Sequence, residues 1–510
     1  MPQNLLPFKY QGEKKSQKII RYGGLLPILE FSKHMGLYRF ADEKLAIRSD
    51  GQGWLDSQIL QACFLLNICG GDSVSDIDRL EIDEGLCRVL GHCEGRLLGR
   101  SKTFIGSRFR RGRERRFPSD NAIHNYMDHF HDESEEIRRE QVREGSQKAF
   151  IPVSNQYLKT LSSFMRNQCH FAQQNRPVSS VTLDVDGTVK ESRKRSAFYT
   201  YKKEKGYQPL NGYWYEQDLL VHSQFRDGNV NTGFGVLDFV KESFSHIPPS
   251  IKKRFFRMDS AGYIYEVMDY CESEGIGFSI SVPLCAGLKA DIKRLRDEEW
   301  KDLPFSREQL LKGRKSEESL EESFWQWQDV VYIPDDPRGE KYRYVVVRSR
   351  IPDQDELFDG LPECCDEEEK KKTYHKDGKK YRVRVIATNQ HHLDGVELFH
   401  WHNKRCGYSE QIHSIMKTDF AGGQLPSNKF GVNAFWWIMM IISLNIMSLY
   451  KRFVLGKQWW RRRMKSIRFY FIYLAGRVEF KAGQLIINIK ESDLLTEFRR
   501  KARCLKWVPI

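Results

Sequence analysis

Apolar residues change their spacing several times along this chain. In residues 23–45 and 54–66 they recur every three or four positions, the period of a helix with one buried face. Pro118-Ser119-Asp120 reads as a turn and cap before a helix over residues 122–130. From residue 178 the period shortens to two. Residues 178–189 alternate as a strand, with Val181, Leu183 and Val185 on one face and Thr182, Asp184 and Asp186 on the other. Residues 219–225 and 277–284 predict further strands, and residues 254–258 a strand that ends at Asp259. Residues 235–244 and 264–274 carry helical spacing. Strands mixed with helices in this way predict an α/β core.

Residues 286–395 break the pattern. Residues 289–323 are highly charged, and two alternating runs follow at 342–350 and 381–388. Lys376-Asp377-Gly378 is a turn signal. These features predict a mainly antiparallel β insertion, with residues 353–372, acidic and then basic, as a loop. From residue 397 the spacing is helical again. The apolar run 434–450 is at the short end for a membrane span and contains Ser443, Asn445 and Ser448. It reads as a helix buried in a large domain, with no membrane partner.

Composition narrows the partners. The 510 residues allow about two to four domains. With 40 % apolar residues the chain can build real cores. Lys and Arg number 82 against 68 Asp and Glu, a net charge of +14, which favours a polyanion such as nucleic acid. Two basic segments stand out, residues 100–116, which include Arg110 and Arg111, and residues 461–465. The eleven cysteines form no metal or disulfide framework: Cys63/Cys69 and Cys87/Cys93 are six apart, and Cys364 and Cys365 are adjacent. Residues 1–10 lack the pattern of a signal peptide, and a cytoplasmic, nucleoid-associated protein is expected.

Three acids carry the candidate chemistry: Asp186 and Asp259, each at the end of a strand-like run, and Glu410 on a helix-like run. Each alone has a bland reading. Strand-end aspartates are often solvated, and Asp caps helices. Glu410, His413, Ser414 and Lys417 form a polar stripe opposite Ile412, Ile415, Met416 and Phe420, as on many solvated helices. Brought together by a fold, three carboxylates can hold two divalent metals and drive phosphoryl transfer.

Several motifs together resemble the bacterial insertion-sequence DDE transposases, in the insertion-sequence-four-like superfamily and the group of insertion sequence thirteen-eighty. They are Asp186-Gly187-Thr188, Lys205-Gly-Tyr-Gln-Pro-Leu210, Arg226-Asp-Gly-Asn229, the strand-Asp-Ser-x-Gly pattern at Asp259, and the Tyr-Arg-Glu-Lys pattern matched by Arg405, Glu410 and Lys417. His402 stands where the pattern has tyrosine, and Arg405 is one residue further from Glu410 than usual. The resemblance implies a ribonuclease H-like catalytic core with a β-rich insertion, preceded by an all-α N-terminal region and followed by C-terminal helices. Its implied boundaries are 1–150 for the helical, basic DNA-binding region, 151–285 for the first part of the core and 286–395 for the insertion. The Glu helix falls in 396–455 and a basic C-terminal segment in 456–510.

The same resemblance implies that Asp186, Asp259 and Glu410 are catalytic and bind two Mg²⁺ ions, or Mn²⁺, with Asp184 in reserve as the first acid. Arg405 and Lys417, with Arg110 and Arg111 of the basic arm, would hold DNA phosphates. The implied activity is binding of terminal inverted repeats, hydrolysis at the element ends and joining of the 3′-OH ends to target DNA, in a dimer or larger synaptic complex. Trp214 and residues 199–207 are read as core packing or as surfaces that stack on an unpaired base. Two rival readings remain. Residues 181–188 also resemble the first motif of haloacid-dehalogenase-like phosphatases, with Asp184 as nucleophile, although Gly71-Asp72-Ser-Val-Ser-Asp76 then comes on the wrong side of it. The other is a catalytically silent, DNA-binding transposase derivative.

Overall fold

The three-and-four spacing of the N-terminal region folds as helices. In the computed structural model, which describes residues 19–48, 53–97, 115–146, 148–305, 325–350, 373–405, 408–482, 484–490 and 496, α1 spans Leu25–His34 and α2 Asp56–Cys69. Helix α3 (Asp120–Met127) begins at the expected cap: the Ser119 hydroxyl accepts from the Ala122 N–H at 3.3 Å. Asp132 caps α4 (Glu133–Glu144) in the same way, and Asn155 caps α5 (Gln156–Asn175). The basic arm with Arg110 and Arg111, residues 353–372, and Cys364 and Cys365 lie outside the described residues.

The alternating run becomes β1 (Ser180–Gly187). It is followed by β2 (Leu210–Trp214), β3 (Leu219–Gln224), helix α6 (Val236–Ser245), β4 (Lys253–Met258), helix α7 (Tyr265–Ser273) and β5 (Gly277–Val282). β1, β4 and β5 are parallel neighbours, and β2 and β3 continue the sheet antiparallel on the other side of β1. Val181, Leu183 and Val185 are fully buried in one cluster with Phe239 and Val240 of α6 and Val267 and Met268 of α7. The polar row of β1 faces the opposite side of the sheet, as strand alternation requires.

The β-rich stretch is not a separate sheet. A short β6 (Lys301–Asp302), β7 (Trp325–Val330), β8 (Arg343–Arg350), β9 (Thr373–Lys376) and β10 (Lys379–Thr388) extend the core sheet, because β10 pairs antiparallel with β5. The order is β6-β7-β8-β10-β5-β4-β1-β2-β3, with β9 on β10. The expected turn joins β9 to β10. Asp377 (φ 49°) and Gly378 (φ 73°) are both left-handed, as a tight hairpin turn requires.

Three helices close the polar side: α8 (Gly395–Asn403), α9 (Tyr408–Thr418) and α10 (Phe430–Tyr450). The apolar run is α10, and 94 % of its most apolar 18-residue window is buried against the rest of the protein. It packs with α2, α5 and the N-terminal helices in one cluster. Its polar residues have internal partners: Asn445 Oδ1 accepts from the Leu220 N–H at 3.0 Å, and its Nδ2 donates to the Leu220 carbonyl at 2.8 Å. Trp214 is fully buried in the core, so it offers no stacking surface; Tyr207 is buried too, whereas Tyr199 and Tyr201 are exposed.

Candidate active site

The two aspartates meet at one edge of the sheet. The last paired residues of the parallel strands β1 and β4 are Val185 and Met258, so Asp186 and Asp259 are the next residues on two adjacent strands. Strands this close are about 4.8 Å apart. Ligands of α/β proteins bind beyond the carboxyl ends of parallel strands. Both residues are half-buried. One Asp259 oxygen accepts from the Ala261 N–H at 3.0 Å, capping the turn Ser260–Gly262. Among the described residues Asp259 forms no salt bridge, which leaves its second oxygen for a ligand.

Asp184 has a different environment. It stands directly opposite Arg257 in the β1–β4 register, and the guanidinium grips both its oxygens, Nε to Oδ1 at 2.6 Å and Nη2 to Oδ2 at 2.7 Å. Arg257 is fully buried between Tyr215 and Trp401 and also donates to the Trp401 carbonyl. Burial pushes the Asp184 carboxyl above its usual range, and the guanidinium pulls against that shift. A carboxylate held at both oxygens in a closed interior has no lone pair aimed at a substrate. Nucleophilic attack by Asp184, as the phosphatase reading needs, has no room here.

Helix α9 supplies the third wall. His413 Nδ1 lies 3.9 Å from Asp186 Oδ2, and its Nε2 is 3.4 Å from Asn211 Nδ2. Asn211 faces Asp186 across the β1–β2 pair. Behind it, the Ser223 hydroxyl donates to Asn211 Oδ1 at 2.6 Å, and the Trp437 indole N–H donates to Ser223 at 2.9 Å. A chain of polar contacts therefore runs from the buried helix α10 to the strand end. Burial, and then the nearby Lys417 charge, lower the His413 imidazole to about 4, so it is neutral near pH 7. Glu410 is in the same helix, one turn before His413.

The two expected phosphate-binding cations have different neighbours. Arg405 follows α8, half-buried, where its charge acts on Asp184 and His402. Lys417 lies at the end of α9, where burial and then Lys202 depress its ammonium. Lys190, lowered by burial and by Lys417, completes this basic cluster and donates to the Gly423 carbonyl. Pattern reading did not single out Arg257, Asn211, Lys190 or Lys202. A basic residue between Phe256 and Met258, two before Asp259, was the one local signal for Arg257.

Paired acids at the carboxyl ends of adjacent parallel strands in a mixed α/β sheet define a class of site built for ligands at the sheet edge. Residues 11–359 match the family described as Transposase DDE domain group 1, about two thirds of the chain, and the chain belongs to that family. The match spans Asp186 and Asp259 and stops short of Glu410. No curated protein matches the chain. Among solved structures it is similar to the cryo-EM structure of piggyBac transposase synaptic complex with hairpin DNA, at 11 % identity and a TM-score of 0.41, over 89 % of this chain and 80 % of that one. A likeness of that degree carries no residue roles or partners across.

Proposed function

We propose that this DDE transposase family member is an active enzyme that binds the terminal inverted repeats of an insertion sequence of the thirteen-eighty group. It would hydrolyse the phosphodiester at each end and join the 3′-OH ends to target DNA. The observation that carries the reading is the placement of Asp186 and Asp259 one residue beyond the last pair of two adjacent parallel strands. The strand order β3-β2-β1-β4-β5, in which β1, β3, β4 and β5 run one way and β2 the other, supports a ribonuclease H-like core. The proposed boundaries keep that core in 151–285 and 396–455, around the β-rich 286–395.

The donor set fits a hard divalent cation. Carboxylate oxygens suit Mg²⁺ or Mn²⁺, Asp259 keeps an oxygen available, and Arg257 holds Asp184 away from Asp186. In this reading Asp186, Asp259 and Glu410 hold the metal, which when bound lowers the pKa of the attacking water or 3′-hydroxyl and stabilises the leaving oxygen. His413 and Asn211 position the Asp186 end of β1. Lys417, with Lys190 and Lys202, offers positive charge to a phosphate, and Arg405 contributes from the other side. Arg110, Arg111 and the exposed Arg461, Arg462 and Lys465 supply sequence-independent contacts to the backbone of double-stranded DNA. Two ends must be paired, so a homodimer or larger synaptic complex is expected, acting on cytoplasmic, nucleoid-associated DNA.

The test is a reaction of the purified chain with Mg²⁺ and a duplex that ends in the element's inverted repeat. Wild type yields a free 3′-OH at the element end and a strand-joined product, and Asp259→Asn yields neither. Binding of the repeat without nicking by wild type, in Mg²⁺ and in Mn²⁺, would instead indicate a silent derivative.

A further inference from the structure

On the other face of the sheet from the acids, two histidines and a glutamate converge. Helix α6 crosses β2, beside the edge strand β3, so closely that a Cβ on Gly212 of β2, the residue paired with His222 of β3, would come within 2.9 Å of the Ser243 hydroxyl. That approach lays Glu242 and His246, one helical turn apart, over His222. The His222 Nε2 is 3.6 Å from Glu242 Oε2, the two imidazole rings stand 5.5 Å apart at 89°, and one ligand atom from each of the three residues lies within 4.8 Å of the others. Tetrahedral zinc with bonds near 2.0–2.1 Å holds its ligands about 3.3 Å apart, so the His222–Glu242 pair is nearly at that spacing and the remaining ligand atoms need to close by at most about 1.5 Å.

We propose that His222, Glu242 and His246 form a site for a divalent transition-metal ion, zinc by preference, distinct from the acidic edge of the sheet. Two independent observations point to a ligand. His222 is 5 % exposed, yet among the described residues neither of its ring nitrogens has a hydrogen-bond partner. An imidazole buried in this state has lost its water and gained nothing, unless a ligand takes the lone pair. His246 is prepared in the complementary way. Its Nδ1 lies 2.6 Å from the Val221 carbonyl, which can only accept, so the proton sits on Nδ1 and Nε2 presents a lone pair. A histidine ligand oriented by a carbonyl through its other nitrogen is the usual outer-shell arrangement of metal sites.

Two nitrogens and a carboxylate oxygen favour zinc over magnesium. Glu242 is exposed on the solvent side, where a water can take the fourth position. Arg226, whose charge acts on His222, is engaged by Gln224 and the Phe234 carbonyl, and Glu242 supplies the charge that offsets a cation here. The ion would pin the end of α6 to the edge strand of the sheet that carries the acids. This inference does not depend on the transposase chemistry.

The experiment uses the full chain with Asp186→Asn and Asp259→Asn, so that the acidic edge does not contribute. Chelator-stripped protein is incubated with zinc chloride, passed through gel filtration and analysed by elemental mass spectrometry. Retention of one zinc per chain is expected, and adding Glu242→Gln and His246→Gln weakens zinc binding by about 100-fold or more, beyond the range of outer-shell changes. Glu242 is exposed, so Glu242→Gln alone keeps the fold, checked by circular dichroism. Cobalt chloride gives a second readout: the same Asp186→Asn, Asp259→Asn chain shows visible absorption bands that zinc abolishes. Equal zinc retention with and without Glu242 and His246, or no retention of zinc or cobalt by folded protein, overturns the proposal.

Discussion

Two aspartates two residues apart on one strand have opposite fates, and their neighbours explain why. Asp184 meets Arg257 across the strand pair and is buried with it, whereas Asp186 reaches the open end of β1. Removing one partner of a buried pair leaves an uncompensated charge and costs about 3–5 kcal/mol. Asp184→Asn should therefore lower stability by roughly that amount in urea unfolding, while Asp186→Asn should stay within about 1 kcal/mol of wild type. The reverse order would contradict the assignment of Asp186, rather than Asp184, as the acid at the strand end. His402 gives a pH test. It is buried between the hydroxyls of Ser279 and Ser281, and burial, then Arg405, Arg257 and Arg384, hold its pKa well below the ordinary value. The folded protein keeps it neutral while the unfolded chain protonates it below about pH 6.5. Its contribution is thus complete above that pH and is lost as pH falls. His402→Gln should flatten the decline of stability below about pH 6.5 relative to wild type; an unchanged slope would count against a neutral buried imidazole.

Elements were legible in the sequence wherever local rules decide them. The alternation of β1, the Ser119 cap, the Asp377-Gly378 hairpin and the buried character of α10 all follow from residues within one or two turns of each other. What the sequence hid is non-local. Arg257 and Asp184 are 73 residues apart, and Asn211 and His413 are 202 apart, so no spacing rule pairs them. That β10 joins β5, making the β-rich stretch part of the core sheet, is likewise fixed by pairing between distant segments. Asn445 shows how such a contact supports an element. It pairs both backbone groups of Leu220 on the edge strand β3, the place a neighbouring strand would occupy. Asn445→Leu leaves a buried N–H and C=O unpaired, and stability should drop by about 2–4 kcal/mol, with loss of hydrogen-exchange protection in β3. Retained protection at Leu220 would show that the helix does not complete the edge.

Across the whole molecule, charge and fold act together. The clamp between the helical N-terminal region and the sheet is a buried pair, Arg139 of α4 with Asp227 at 2.7 and 2.8 Å, so the Arg-Asp-Gly-Asn motif has a structural duty here. The net charge of +14 lies in part on an exposed C-terminal patch, from which Arg463 is withdrawn by Asp419. If Arg461 and Arg462 each neutralise a phosphate, changing both to alanine should reduce the slope of log K against log salt by about 2 for end DNA. An unchanged slope would remove them from the interface. The central claim is the catalytic role of the strand-end acids, and single-turnover cleavage of end DNA in Mg²⁺ tests it most directly. Asp186→Asn and Asp259→Asn should lose cleavage by about 10³-fold or more while keeping the wild-type unfolding midpoint; cleavage at the wild-type rate by either folded variant would contradict it.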